Sequence, residues 1–180
     1  MPTYTCDPHV ELNGHTARSF MINLRAEGMK PLLEKYGLAN IDPEQWYPLR
    51  DVLAVLSELA GKGSSMFDFV SLGLAAAQVS PIPPEIEQLP LEQFLMMYEK
   101  IYPTRHRNGD AGTVRAEQLG ERHVKMIFDV VYPDDLMYGL MYGFARRFLP
   151  PDTRFRVKYD EATLRREQGG KETVIHITWG

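Results

Sequence analysis

Few residues of this chain have the types and spacing that catalysis requires. A Ser-His-Asp or Cys-His arrangement needs a nucleophile activated by a base, yet the sequence has no G-x-S-x-G motif, and its one cysteine, Cys6, lies near the N-terminus. The phosphate-binding patterns G-x-x-x-x-G-K and G-x-G-x-x-G and the zinc motif H-E-x-x-H are also absent. We therefore predict no catalytic residues and no enzyme activity, with one alternative: an enzyme built on Asp134, Asp135, His106 and His123.

The N-terminal residues include several types that bind metals. Cys6, His9 and His15, together with Asp7 and Glu11, offer a mixed set of sulfur, nitrogen and oxygen donors. Their spacing matches no standard zinc module, and chain ends are usually mobile. We predict a flexible tail at residues 1–13 and no metal site.

A cationic loop is a candidate for binding anions. Arg105, His106 and Arg107 stand in succession ahead of the turn at residues 108–110. Guanidinium groups suit phosphate or carboxylate, so the loop predicts an anionic ligand, and a solvated turn is the alternative.

Other charged residues favour structural roles. Asp134 and Asp135 begin a predicted helix, where carboxylates complement the helix dipole and cap the helix, with magnesium binding or catalysis as the alternative. His123 and His176 fall on predicted strands that they share with polar residues, which favours exposed positions over haem or metal ligation.

A short repeat marks one helix as a candidate binding surface. The four residues 136–139, Leu-Met-Tyr-Gly, recur at 140–143, so Gly139 and Gly143 lie on one face of the helix. Such a face predicts close packing, or alternatively space for a ligand. The predicted pocket is apolar and lined by residues of this helix and of a preceding strand: Met126, Phe128, Tyr138, Met141, Tyr142 and Phe144.

Hydrophobic periodicity places these residues in an α+β fold, with N-terminal helices followed by a β-β-α-β-β antiparallel sheet and helices packed on one face. Helices are predicted at 15–36 (two helices or one kinked helix), from Asp42 to Gly61, after Ser64 or Ser65, at 90–102 and at 133–149, with an extended connector at 80–84. Strands are predicted at 111–119, 123–132, 154–159 and 173–179.

Composition excludes several functional classes. The 180 residues fit a single domain, 1–180, and the 44% hydrophobic and 24% charged fractions argue against disorder. A net charge of −4 gives no reason to expect nucleic acid. No apolar run reaches the ~18 residues of a membrane span, and no secretory signal is visible. With one cysteine and no intrachain disulfide, we expect a cytoplasmic protein.

Four segments together resemble a known family. They are the run Trp-Tyr-Pro-Leu-Arg at 46–50, the segment from Tyr102 to Gly112, Tyr132-Pro133 followed by a glycine-containing helix, and Gly169-Gly170 followed by residues 175–179. The chain is similar to the 4-vinyl reductase type of small-molecule-binding domain, in a superfamily shared with haem nitric-oxide-binding domains and Golgi trafficking-particle subunits. The resemblance implies helices packed on an antiparallel sheet, a hydrophobic pocket between them, a homodimer, and a sensory role in signal transduction.

Two departures from the family leave the ligand open. Relatives often carry cysteine after the Tyr-Pro corner, where this chain has Asp134, and the haem relatives' Y-x-S-x-R motif is not matched. We therefore expect a non-catalytic regulatory domain that binds a small hydrophobic or anionic ligand. The alternatives are a haem-binding gas sensor, which no motif supports, and a dimeric protein-interaction scaffold.

Overall fold

The computed structural model describes residues 3–26, 28–62 and 68–180. In chain order the elements are β1 (Glu11–Asn13), α1 (Gly14–Ala26), α2 (Lys30–Lys35), β2 (Trp46–Pro48), α3 (Leu49–Gly61), α4 (Phe69–Val79), α5 (Pro84–Glu87), α6 (Leu91–Thr104), β3 (His106–Arg107), β4 (Gly112–Gly120), β5 (His123–Val130), α7 (Asp134–Phe148), β6 (Phe155–Tyr159) and β7 (Thr173–Trp179). None of the helices in these ranges is long and apolar enough to cross a bilayer.

A small three-stranded sheet joins the N-terminal residues to the middle of the chain. Its order is β2-β1-β3, with Leu12 opposite Tyr47 on one side and His106 on the other. Val10 and Leu12 are fully buried in the core. The tail prediction is therefore wrong for the last residues of 1–13, because β1 satisfies its backbone groups on both sides and buries its apolar side chains.

The predicted helix start at Asp42 is also wrong. The Asp42 carboxylate accepts a hydrogen bond from the backbone N–H of Glu44 at 2.9 Å, but the residues that follow form a turn and not a helix. The chain then extends as β2, and α3 begins at Leu49, whose N–H donates to the carbonyl of Val10 at 2.9 Å. Pairing with β1 decides this difference, since the local signals at Asp42 and Pro43 favour a helix.

The remaining helical predictions agree with the structure, within the described residues. Residues 15–36 form two helices, α1 and α2, and Gly37 with φ +70° ends the second. Asp68 caps α4 through the N–H of Val70 at 2.9 Å, while the start predicted at Ser64 or Ser65 lies outside the described residues. The connector predicted at 80–84 is non-helical at 80–83, whereas its last residue, Pro84, begins the single turn of α5, because proline is compatible with the first position of a helix.

The C-terminal half forms the predicted antiparallel sheet, in the order β4-β5-β7-β6. Alternate residues face the core, so Val124 and Met126 of β5 lie on the same face as Ile175 and Ile177 of β7. Helices α6 and α7 cover this face, and α4 packs on the far side of α7. The α+β class and the β-β-α-β-β order are thus confirmed.

Close packing of α4 against α7 is built on glycines. A Cβ atom on Gly139 would lie 2.1 Å from the carbonyl oxygen of Val70, and one on Gly73 would lie 2.2 Å from that of Leu136. A Cβ on Gly143 would meet Ala77 at 2.6 Å. The glycine face of α7 therefore serves helix packing, and the ligand space predicted there is filled by α4.

Asp134 and Asp135 hold the connection between β6 and β7 against the start of α7. The buried Asp134 carboxylate accepts hydrogen bonds from the Thr173 hydroxyl at 2.6 Å and the Glu167 N–H at 3.1 Å. Asp135 accepts from the Tyr159 hydroxyl at 2.6 Å. Both lie in the first turn of α7, where they complement the dipole, but neither caps the helix through its side chain.

Replacing Gly139 with alanine is expected to destabilise the fold. Glycine-to-alanine changes inside helices normally stabilise by up to about 1 kcal/mol. Here the added methyl would overlap the α4 backbone, and we expect the free energy of unfolding to fall by about 1–3 kcal/mol, as for overpacked cores. Denaturant unfolding measures the change.

Gly120→Ala is the matched control, because its added Cβ would find only the Cβ of His123 at 3.8 Å, an ordinary contact. We expect a change within about 0.5 kcal/mol for this variant. Equal stability of the Gly139 and Gly120 variants would contradict the packing described for α4 and α7.

Candidate functional site

A cavity of about 510 Å³ lies between α1, the connector at 80–83, α6 and α7. Its volume is within the range of small-molecule pockets. Most of the lining side chains are apolar, and the full set is His15, Thr16, Phe20, Ser80, Pro81, Ile82, Pro83, Ile86, Phe94, Tyr98, Ile101, Thr104, Arg105, Leu140 and Phe144.

Helical spacing explains how α6 forms one wall of the cavity. Phe94, Tyr98, Ile101 and Arg105 follow one another at intervals of four, three and four residues, which places them on one face. From Phe94 to Arg105 this face is about 16 Å long. The wall is therefore apolar along most of its length and cationic at its C-terminal end.

The floor of the cavity is an aromatic cluster. Phe94 and Phe144 are 2% and 4% exposed, and their ring centroids are 4.9 Å apart in an edge-to-face arrangement. Tyr98 contacts both rings, with centroids 6.1 Å from Phe94 and 5.6 Å from Phe144. Pro81 and Pro83 are exposed and lie at the mouth. This arrangement suits an apolar ligand that enters beside the connector.

Three of the polar side chains in this lining have either a shifted pKa or a partner within the protein. Burial among apolar rings raises the pKa of Tyr98 to about 12, so its hydroxyl stays protonated and able to donate. Thr104 donates its hydroxyl to the carbonyl of Ile101 at 2.6 Å. His15 lies 3.2 Å from the Glu44 carboxylate, where its side chain is 41% exposed.

His106 lies behind the cavity wall in a hydrogen-bonded chain. Its Nδ1 is 3.1 Å from the Tyr102 carbonyl oxygen, which only accepts, so Nδ1 carries the proton. Its Nε2 is then the acceptor for the Tyr132 hydroxyl at 2.7 Å. Burial lowers the pKa of His106 to about 4, which leaves the ring neutral at pH 7.

The predicted cationic loop does not act as one unit. Arg107 donates to the Glu11 carboxylate at 2.6 Å and lies over the ring of Trp46, so it is committed to the small sheet. His106 is committed to Tyr132. Of the three residues predicted to bind an anion, only Arg105 lines the cavity.

Most of the predicted apolar lining lies outside this cavity. Met126, Phe128 and Met141 are core residues with at most 1% exposure. Two tyrosines of α7 point to the sheet instead: the Tyr138 hydroxyl donates to the Val157 carbonyl at 2.7 Å, and Tyr142 packs against the ring of Phe155. Phe144 alone of the predicted set lines the cavity.

Sequence reasoning missed the lining residues that come from α1, the connector and α6. Phe20 and Ile101 read only as members of apolar helix faces. The one available signal was the proline-rich connector around Ile82, which cannot pack as a helix and leaves space beside it.

A hydrogen-bonded pair of histidines lies on the outer face of the large sheet. His123 Nε2 and His176 Nδ1 are 2.7 Å apart, and His176 Nε2 lies 2.9 Å from the Asp160 carboxylate. The hydrogen bond to His176 lowers the pKa of Asp160 to about 2. Both histidines are partly buried, in contrast to the exposed positions expected. Within 3–26, 28–62 and 68–180, no His, Cys, Asp and Glu side chains group as metal ligands.

The chain shares its fold with H-NOX domains, which are haem nitric oxide/oxygen-binding proteins. A structure from a study of haem distortion in the H-NOX family has a TM-score of 0.66 and 18% identity, over 93% of this chain and 95% of that chain. An oxygen complex of an oxygen-binding H-NOX domain related to soluble guanylate cyclases has a TM-score of 0.64 and 18% identity, over 92% of each chain. A variant H-NOX domain of T. tengcongensis has a TM-score of 0.63 and 17% identity, over 92% and 94%.

No protein-family model matches the chain, and no curated protein matches it. The structural similarity therefore concerns the fold alone, which is compatible with the fold that the sequence resemblance implies. The finer resemblance, to the 4-vinyl reductase type, stays a prediction.

The buried neutral His106 predicts a pH dependence of stability. In the unfolded chain its pKa is about 6.5, whereas in the folded protein it is about 4. As the pH falls from about 6.5 to about 4, the unfolded state takes up a proton that the folded state does not, and this residue lowers the free energy of unfolding by up to about 3 kcal/mol. Denaturant unfolding across this pH range measures the effect.

His106→Gln is the control, since glutamine does not titrate and still offers a donor and an acceptor. The difference in unfolding free energy between the two proteins is expected to be constant above pH about 6.5 and to shift in favour of the variant below it. A difference that stays constant down to pH about 4 would contradict the buried neutral ring.

Proposed function

We propose that this chain is a non-catalytic small-molecule-binding module, and that the cavity between α1, the connector, α6 and α7 is its binding site. The observation that carries the proposal is the cavity itself, with about 510 Å³ of space beside an aromatic floor. Dense packing is the rule in protein interiors, and space of this size with a few polar groups is typical of ligand sites.

The position of the cavity supports a sensory or regulatory role. Its walls come from α1, which directly follows strand β1 of the small sheet, and from α6 and α7, which cover the large sheet. A ligand held between these elements contacts both parts of the fold. It would stabilise the relative arrangement that fits it best, which is how binding shifts a conformational equilibrium.

Haem is the ligand that the shared fold suggests, since solved relatives include an oxygen complex of an H-NOX domain. The donor set of this cavity does not fit it. Haem iron is held by His, Cys, Met or Tyr side chains, and the cavity offers only His15, which is paired with Glu44, and Tyr98, whose pKa of about 12 disfavours the phenolate. Both ring nitrogens of His106 are already bonded.

An absorption spectrum tests the haem alternative. We expect no Soret band from the purified protein after incubation with hemin and removal of the excess, because the one imidazole in the lining, that of His15, is 41% exposed and its Nε2 is paired with the Glu44 carboxylate. A stoichiometric Soret band that is lost in Tyr98→Phe would establish haem binding and overturn this part of the proposal.

The scaffold alternative rests on homodimerisation, which stays a prediction. Light scattering of the purified protein tests it directly. A dimer that persists on dilution would favour an interaction role beside ligand binding, whereas a monomer at high concentration would remove the scaffold alternative.

Filling the cavity is expected to abolish binding of an apolar probe. Ile82 lines the cavity from the connector and is only partly buried, so a larger side chain there enters the cavity without overpacking the core. We expect Ile82→Trp to weaken binding of the neutral dye Nile red at least about tenfold, which corresponds to about 1.4 kcal/mol. Fluorescence titration measures the affinity.

Ile22→Trp is the matched control, because Ile22 is 41% exposed on α1 and does not line this cavity. Its affinity for Nile red is expected to equal that of the wild type. The proposal is wrong if the dye binds none of the three proteins, or if it binds all of them equally.

A further inference from the structure

The cavity holds a positive charge that the protein does not neutralise. Arg105 belongs to its lining, whereas no aspartate or glutamate does. In the part of the chain that the structure describes, the Arg105 guanidinium has neither an ion pair nor a hydrogen bond. By contrast, Arg147 beside the connector donates to the Ala77 and Ser80 carbonyls at 2.9 and 2.7 Å and to Glu87 at 2.6 Å.

A second polar group in the cavity also lacks a partner. The rings of Phe94 and Phe144 surround Tyr98, and its hydroxyl donates to no group among residues 3–26, 28–62 and 68–180. The charge of Arg105 acts on this hydroxyl, since it opposes the rise in the pKa of Tyr98 that burial causes. A guanidinium and a hydroxyl thus remain available on the same helix face, about two turns apart.

We propose that the cavity binds an amphipathic monocarboxylate, with the carboxylate on Arg105 and Tyr98 and the apolar body between Phe94, Ile82 and Phe144. This inference rests on the proposed function and specifies its ligand. Groups that lose water without a protein partner are costly, so a ligand that supplies the missing acceptor gains both charge pairing and burial of its apolar part.

The number of donors favours a carboxylate over a phosphate. A single guanidinium offers a fork that matches the two oxygens of one carboxylate. Among the other polar side chains of the lining, Thr104 donates to Ile101 and His15 is paired with Glu44. The hydroxyls of Thr16 and Ser80 carry no charge, so Arg105 is the one permanent cation in the lining. A phosphate dianion would leave much of its charge uncompensated.

Arg105 also follows the C-terminus of α6, where a cation complements the helix dipole. The dipole end is equivalent to about half a negative charge, so the full charge of Arg105 leaves this end of the cavity positive. A purely structural role for Arg105 predicts no effect on ligand preference, which makes the two roles separable by experiment.

The test compares dodecanoate with dodecanol, which share an apolar chain and differ in the headgroup, by displacement of Nile red at neutral pH. We expect the wild type to bind dodecanoate at least about tenfold more tightly than dodecanol. Charge-assisted hydrogen bonds of this kind correspond to about a tenfold to hundredfold gain in affinity.

Variants at Arg105 and Tyr98 show which side chain causes the preference for dodecanoate over dodecanol. Arg105→Gln is expected to weaken dodecanoate binding about tenfold to a hundredfold and to leave dodecanol unchanged. Arg105→Lys keeps the charge and loses the fork, so we expect a smaller loss of about threefold to tenfold. Tyr98→Phe removes one hydroxyl and is expected to cost about twofold to tenfold.

Arg146→Gln is the control for loss of charge, because Arg146 is exposed on α7 and does not line the cavity. It is expected to bind both ligands as the wild type does. Thermal unfolding of every variant separates a binding defect from a folding defect.

The outcomes distinguish this inference from the proposed function. If Nile red and dodecanol bind and dodecanoate binds no better, or if Arg105→Gln weakens both ligands equally, the carboxylate inference is wrong while the binding function stands. If neither dye nor either ligand binds, the proposed function itself fails. Selective loss of dodecanoate affinity in Arg105→Gln and Tyr98→Phe establishes the inference.

Discussion

The contact between α4 and α7 is the constraint on which the rest of this structure depends. Backbone meets backbone at Gly73 and Gly139, at a separation that no Cβ atom tolerates. Because α7 also covers the large sheet, this contact fixes the distance between the sheet and the N-terminal helices. It also decides which residues of α7 are left to face the cavity, namely Leu140 and Phe144.

The connector that follows α4 is held by the same helix pair. Arg147 of α7 binds the Ala77 and Ser80 carbonyls and the Glu87 carboxylate, so the connector cannot fold back onto the floor of the cavity. On the opposite side, the Tyr102 hydroxyl donates to the Ala111 carbonyl and His106 bonds to Tyr132. These bonds anchor the end of α6 on both sides of Arg105, and they leave its side chain as the group that faces the cavity.

The fold that this chain shares with H-NOX domains does not determine the chemistry of its cavity. The chain superposes on H-NOX domains over most of its length, yet its cavity offers a paired histidine, a protonated tyrosine and one arginine. A fold hosts many functions, and the side chains of the site decide which ligand is bound. The combination here, an apolar interior with one cation, favours an organic acid over a metal cofactor.

The sequence by itself determined the elements whose pattern is local. Alternation in 155–159, and in 123–130 apart from the buried Ile127, indicates one buried face of a strand. The spacing of Gly139 and Gly143 indicates a helix face that admits close packing. The tertiary structure alone decided the rest. The strands β1, β2 and β3 are only two or three residues long. In sequence, β1 is roughly 35 residues from its partner β2 and roughly 95 residues from its partner β3, so no local signal identifies these strands.

The cavity lies where apolar faces from α1, α6 and α7 fail to meet. Periodicity shows that a side chain points inward, as it does equally for Met126 in the core and Phe94 at the cavity. Whether such an inward-pointing side chain faces another side chain or empty space depends on the packing of elements that are distant in sequence.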